Sequence, residues 1–281
     1  MAYWVLDEGP YLPEYFEFHI LQGVDKFVLY DNGSTDETYE VCLPYMKAGL
    51  LEIRRYPPHI TQRNNFFMMD HLCKEQEGHT KWLHFHAIDE RIWCPDGRSI
   101  PEVLKDYEDQ AGLVVGWKLF NSGGHATKAP GLITERFTSE SNEPNHHIKT
   151  IVQPGLATGH AGNPHIFKYS HGNFAVDQHK NKVNSPWHKP AYPMTELVNH
   201  HYVTMSKEEF NQKANKGLLD HPGAENVRRK GAETQWDGLH SGIKGVNTDL
   251  LKFTEPVKDA LRKRYAAYPE LYKKVQRWYN L

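Results

Sequence analysis

At 281 residues the chain can bury a substantial core, as one large α/β domain or two small ones. Lys plus Arg (33) nearly balances Asp plus Glu (35), which excludes a global field that would draw it to nucleic acid or an anionic membrane. No window is apolar enough to span a bilayer, the N-terminus lacks a signal-peptide pattern, and Cys42, Cys73 and Cys94 lack CxxC spacing, which fits buried thiols in a cytoplasmic protein better than a disulfide frame or zinc site.

In chain order, the first ~120 residues alternate strand and helix patterns in the βαβ manner. Tyr3–Leu6 reads as a strand. Tyr11–Gly23 reads as a helix, with Pro13 in its first turn, Leu12, Tyr15, Phe16, His19 and Ile20 at helical spacing, and Gly23 to close it. Lys26–Tyr30 is a short buried-type strand that runs into the turn-rich Asp31-Asn32-Gly33-Ser34-Thr35-Asp36, where Ser34 or Thr35 can cap the next helix. Leu50–Arg55 predicts a strand, Asn64–Glu77 a helix, Trp82–Ile88 a strand, Pro101–Tyr107 a helix and Gly112–Phe120 a strand. From Phe120 to about Pro193, Gly, Asn, Pro and His dominate around strand fragments at Lys149–Val152 and His165–Tyr169; this is a loop-rich layer suited to binding an acceptor. Ser206–Gly217 and Glu255–Tyr279 return to helical pattern. The expected fold is an α/β mixed sheet flanked by helices in one domain, with residues 1–120 and 121–220 as its two halves and 221–281 as a C-terminal helical extension packed on them.

Three segments carry candidate chemistry. The Asp31–Asp36 turn joins a strand end to a helix start, where ligands of open α/β sheets bind; Asp31 can accept from a nucleobase or ribose, or serve only as a turn cap. Ala87-Ile88-Asp89-Glu90 ends an apolar strand in the manner of Asp-x-Asp-Glu, which presents a divalent cation to a diphosphate, but a methyl group stands at the first carboxylate position. The 18 histidines include the pairs His84/His86, His146/His147, His160/His165 and His200/His201, none at metal-protease spacing, so most read as structural.

Taken together, Glu8-Gly9-Pro10-Tyr11-Leu12-Pro13-Glu14, Glu17-Phe18-His19, Gly23-Val24-Asp25, Tyr30 through Asp36, Gln62, Cys73, Trp82, Ile88-Asp89-Glu90, Trp117, Phe120, Ser122, Gly124-His125, Lys149, Ile151-Val152, Pro154, His201-Tyr202, Ser206, Glu209-Phe210, Lys213 and Gly217 form an ordered set spanning about residues 3–217. In that set the chain resembles glycosyltransferase family 92, a group of inverting transferases of GT-A (Rossmann-like) fold. It departs at Leu6-Asp7-Glu8, where the family reads Lys-Asn-Glu, and at Ala87-Ile88-Asp89-Glu90-Arg91, where it reads Asp-x-Asp-Glu-Phe. Its layout is similar to stand-alone transferases such as those encoded by large algal viruses or bacteria.

The resemblance implies transfer of a sugar, with xylose or galactose favoured, from a UDP-sugar to a glycan or glycoprotein hydroxyl with Mn²⁺ or Mg²⁺. It places Glu8, Asp31 and Gln62 at the nucleoside, Asp89 (with Ala87 as its missing partner) and His201 at the metal, Lys149 at the diphosphate, and Trp117 and His125 at the acceptor. Glu135 and His125 are the candidate bases. Ala87 leaves open a catalytically silent nucleotide-sugar or glycan binder; the intact flanks, Asp89 and Glu90, favour an introduced inactivating change over natural decay.

Overall fold

A computed structural model describes residues 1–55, 62–141, 145–188, 194–215, 233–234, 236–240 and 242–281. Strand β1 (Ala2–Val5), helix α1 (Leu12–Leu21), β2 (Phe27–Asp31), α2 (Thr38–Lys47), β3 (Leu51–Arg55) and α3 (Gln62–Gln76) come first. They are followed by β4 (Leu83–His84), β5 (Glu90–Trp93), α4 (Ile100–Leu104) and the eight-residue β6 (Gly112–Leu119). The loop-rich region holds α5 (Ile133–Arg136), β7 (Ser139–Ser141), β8 (Ile148–Val152), β9 (Ala157–His160), β10 (Phe167–Tyr169), β11 (Ala175–Val176) and β12 (Lys182–Val183). Then come β13 (Val198–His201), α6 (Lys207–Asn215), β14 (Ile243–Val246), α7 (Thr254–Tyr265) and α8 (Pro269–Tyr279).

The α/β class expected from the sequence is what the chain adopts. Strands β1, β2 and β3 form a parallel layer, and a parallel bridge between Ala2 and Phe85 joins it to β4. Strand β8 lies antiparallel between β4 and β6, while β13 runs parallel to β6 and antiparallel to β5. Strands β1, β2, β4, β6 and β13 therefore share one direction, and their carboxyl ends, with the amino end of β8, meet at one edge of the sheet. A cavity of about 890 Å³ opens at the other edge, lined by Met1, Phe27, Leu51 and Leu83, and includes none of Asp31, Asp89 or His201. In sheets of this kind ligands bind beyond the carboxyl ends, so the first edge is the one to search.

Three sequence expectations need correction. Trp82–Ile88 does not form one strand: pairing stops after the Phe85 bridge, and Ala87–Glu90 forms a tight turn in which Ala87 O accepts from Glu90 N–H (3.1 Å) while Glu90 Oε2 accepts from Ala87 N–H (2.9 Å). The α2 start is capped by Asp36, whose Oδ1 accepts from Thr38 N–H at 2.9 Å, rather than by Ser34 or Thr35. Glu255–Tyr279 splits into two helices because Pro269 forces Tyr268 out of helical geometry (φ −129°, ψ 72°). Gly217, the expected end of the helix that contains α6, lies outside the described residues.

The main core gathers Val5, Leu12, Phe16, Phe27 and Tyr45 with Leu250, Val257, Leu261, Tyr265, Val275 and Tyr279 from the C-terminal segment. Those last residues are buried as deeply as the sheet itself, so α7 and α8 complete the core. Ion pairs and hydrogen bonds fix them there: Arg264 to Glu17 (2.8 Å), Tyr265 Oη to Val41 O (2.5 Å) and Tyr279 Oη to Pro10 O (2.7 Å).

Candidate active site

The site edge begins with two interlocked turns. Asp7 sits at positive φ (50°), a conformation that Asp and Asn tolerate better than most residues, and its Oδ1 accepts from the backbone N–H groups of Thr35 (2.7 Å) and Asp36 (3.2 Å). Asparagine's amide oxygen can accept the same bonds, so this departure from the family pattern preserves the local geometry. Gly9 presses on the start of α2 so closely that a Cβ there would meet Thr38 N at 2.8 Å. Asp31 Oδ1 accepts from Ser34 N–H (2.9 Å), which is the turn-cap role; its other oxygen has no hydrogen-bond partner among the described residues. Glu8 accepts from the Tyr3 hydroxyl, and burial together with that carboxylate pushes the Tyr3 hydroxyl well above the usual phenol range. Gln62 opens α3, and its side chain lies outside the described ones.

The Ala87–Glu90 turn sits next to Tyr3, whose hydroxyl also meets the Ile88 backbone. Register pairs Glu90 with His201, and Tyr202 N–H donates to Asp89 O at 2.8 Å, so β13 holds the turn and brings His201 Nε2 to 3.4 Å from Asp89 Oδ2. The same Oδ2 accepts a charge-assisted hydrogen bond from the Lys213 ammonium on α6. Burial alone would raise the Asp89 carboxyl, but Lys213 and His201 hold it below the ordinary carboxylate range. On the other flank Lys149 Nζ lies 3.8 Å from Glu90 Oε2.

Arg91, where the family pattern has Phe, is fully buried behind the turn. Its Nη1 donates to Ile88 O (2.8 Å) and Glu90 O (2.9 Å), bracketing Asp89, and Nη2 makes a 3.1 Å ion pair with Glu14 Oε1 without hydrogen-bond alignment. Glu14 in turn accepts from the N–H groups of Ile133 (2.7 Å) and Thr134 (3.3 Å). The guanidinium lies 5.6 Å from the Tyr15 ring centroid and 5.9 Å from that of Phe18, so it packs among aromatic rings as a phenyl group would.

An aromatic series leads away from His201. Trp117 meets His201 edge-on (centroids 4.4 Å) and stacks on His147 (5.1 Å, 22°), which in turn contacts Trp187 (3.8 Å). Trp187 is 61% exposed, the most exposed of the chain's large aromatic side chains among the described residues. Trp117 Nε1 and His201 Nδ1 are buried with no hydrogen-bond partner among the described residues. Trp187 escaped the sequence reading because nothing local distinguishes it; only the fold brings it beside His147.

The remaining expected residues fall elsewhere. Glu135 Oε2 caps α5 through Leu132 N–H (3.3 Å) and Oε1 accepts from Lys258 (3.2 Å), which ties α5 to α7. The adjacent Arg136 pairs with Glu209 (2.9 Å). His125 is exposed, in a loop whose carbonyl accepts from Lys207 N–H (3.1 Å) at the start of α6. His19, His84, His86 and His200 are buried, and His19, His86 and His84 form a ring-to-ring series at 4.9 and 4.8 Å, in keeping with structural roles.

Hard divalent cations take several oxygen ligands. Among the described residues no three His, Cys, Asp or Glu side chains converge as a metal site; at the turn Asp89 and His201 meet, while the Glu90 carboxylate turns to the Ala87 N–H and Lys149 on the other flank. With a methyl group at 87 and an ammonium already on Asp89 Oδ2, this donor set falls short of the cation site the resemblance implies.

The family model described as Glycosyltransferase family 92 matches residues 7–219. A glycosyltransferase family 92 protein of Ricinus communis is 25% identical over 152 residues, covering 53% of this chain and 27% of its own length. One of Oryza sativa subsp. japonica is 28% identical over 154 residues, covering 53% and 25%. The chain thus spans about a quarter of the length of these relatives. Among solved structures, S. aureus TarS 1–349 aligns with TM-score 0.39 and 13% identity over 98% of this chain and 82% of its own; its complex with UDP-GlcNAc aligns at 0.37 and 12%. That likeness is too distant to transfer a site.

Proposed function

Since the chain belongs to glycosyltransferase family 92, we propose that it transfers a sugar from a UDP-sugar to a glycan hydroxyl with inversion, at the sheet edge where Glu8, Asp31, Asp89, Lys149 and His201 converge. That convergence is the observation that carries the reading. Glu8 and the open oxygen of Asp31 face the nucleoside, while Lys149, Lys213 and His201 surround the place for the diphosphate. Trp117, His147 and the exposed Trp187 line the route to Asp89 and offer a pyranose the apolar faces that sugar C–H groups stack on. Acceleration comes from positioning and from stabilising the leaving diphosphate, with His125 as the candidate base. Three buried, unpaired cysteines support action in the cytoplasm.

The test is a panel of UDP- and GDP-sugars, read by thermal shift and donor hydrolysis, with UDP-xylose and UDP-galactose first. Stabilisation by a UDP-sugar, with UDP release, is expected; indifference to every donor refutes the reading. Ala87 favours a second reading, a nucleotide-sugar binder without turnover, which shows stabilisation but no UDP release with any acceptor.

A further inference from the structure

We propose that His147, rather than His125, is the base that takes the proton from the acceptor hydroxyl. The inference rests on the transferase reading above and deepens it.

His147 stands immediately before β8, at the end of that strand which reaches the carboxyl edge of the sheet, and an antiparallel bridge pairs it with Trp187. Residues two apart in an extended segment share a face about 6–7 Å apart, so His147 lies one step outward from Lys149, whose Nζ sits beside Glu90. Its ring stacks on Trp117, which meets His201 edge-on, and touches Trp187 on the side of the acceptor route. His147 thus stands between the residues read as holding the diphosphate and the aromatic surface offered to the acceptor. A base for an in-line displacement has to occupy that position.

Asn145 decides which ring nitrogen carries the proton. Its Oδ1 accepts from the His147 backbone N–H (2.8 Å), which identifies that atom as the amide oxygen rather than the nitrogen. The same oxygen lies 2.7 Å from His147 Nδ1, so in the neutral ring Nδ1 is the protonated nitrogen and Nε2 holds the lone pair. Nε2 has no hydrogen-bond partner among the described residues, and unlike Nδ1 of His201 it is not buried. A ring tied at one nitrogen and open to solvent at the other is oriented for proton abstraction, with Asn145 as the positioning residue. His125 has no such tie: it is exposed, and neither of its ring nitrogens has a partner among the described residues.

The step balances without any further reactant. Nε2 takes the acceptor hydroxyl proton as the acceptor oxygen forms its bond to the anomeric carbon. The bond from that carbon to the diphosphate oxygen breaks, UDP leaves with the electron pair, and the imidazolium later returns its proton to water.

The experiment measures UDP release by the full chain from UDP-xylose and UDP-galactose, with methyl hexopyranosides as acceptor probes. The parent is compared with His147→Phe, which keeps a ring between Trp117 and Trp187, with His147→Ala in the presence and absence of imidazole, and with Asn145→Leu. Both His147 variants are expected to lose about a hundredfold or more in kcat while UDP affinity changes by less than about twofold. Added imidazole is expected to restore His147→Ala at least about tenfold, and Asn145→Leu to lose about tenfold or more through the wrong tautomer. A smaller fall in kcat for His147→Phe, or a higher acceptor KM with kcat unchanged, overturns the proposal and leaves the transferase reading standing. A loss that imidazole does not repair, or that UDP affinity shares, marks a structural role and overturns it as well. No UDP release by the parent with any donor and acceptor overturns both.

Discussion

Acidification should unfold this protein earlier than its carboxylates alone would require. His19, His84, His86 and His200 are each 4% exposed or less, and burial, the leading cause at all four, pushes them well below the ordinary imidazole range, His84 to about 3. In the unfolded chain each takes up a proton near pH 6.5, whereas in the folded chain it stays neutral. As pH falls the unfolded state therefore binds more protons, and stability declines from about pH 7 downward. Between about pH 7 and pH 5.5 each such histidine removes about 1.2 kcal/mol, so the four together remove about 5 kcal/mol, comparable with the whole stability of many domains (roughly 5–15 kcal/mol). Urea unfolding followed by tryptophan fluorescence across this range measures the slope directly. His200 is the cleanest probe, because neither ring nitrogen has a partner among the described residues and the ring packs on Trp93 and Phe120. His200→Phe should recover about 1.2 kcal/mol of the loss between pH 7 and pH 5.5, an average of about 0.8 kcal/mol per pH unit. A parent protein whose stability is flat from neutral to pH 5.5 would refute the reasoning.

Other substitutions separate the parts of the site. Trp187→Ala should raise KM for the acceptor up to about tenfold, the scale of one aromatic contact, while UDP affinity stays unchanged; a loss of UDP affinity instead would place Trp187 at the donor. Arg91→Met should destabilise by about 3–5 kcal/mol in urea, because it strips the carbonyls of Ile88 and Glu90 and the Glu14 carboxylate of a buried cation; a change below about 1 kcal/mol would count against the clamp. Glu135→Gln should keep turnover within about twofold and lower the melting temperature by a few degrees through the lost Lys258 pair, whereas a hundredfold fall in kcat would identify Glu135 as the base.

Much of the scaffold was legible because its signals are local. The run Lys26–Tyr30 is apolar and β-branched enough to announce β2, Gly112–Phe120 does the same for β6, and Pro13 in the first turn and Gly23 at the end nearly frame α1. Strands β5 and β13 were not legible. Glu-Arg-Ile-Trp and Val-Asn-His-His carry charged and imidazole side chains that periodicity assigns to the surface, yet nearly all are buried because Glu14, Tyr15 and Trp93 supply partners from elsewhere in the chain. The site divides in the same way. Ala87 and Asp89 stand out as a motif, but the ammonium that meets Asp89 lies 124 positions later on a helix whose pattern signals only amphipathicity. Glu135 is ambiguous in the sequence because carboxylates that cap a helix and carboxylates that abstract protons look alike there, and only the fold places Lys258 beside it.

The hub at Glu14 reaches Arg91, Ile133, Thr134 and the Tyr279 hydroxyl, spanning up to 265 positions. Contacts of such range close only when nearly the whole chain has collapsed, so the turn bearing Asp89 should reach its final shape among the last events of folding. It follows that the stretch recognised as the family, which stops at residue 219, is an evolutionary unit without being a cooperative one. A protein cut there would lose Val257, Leu261, Tyr265, Val275 and Tyr279 from its interior and should behave as a loosely packed globule rather than a smaller enzyme.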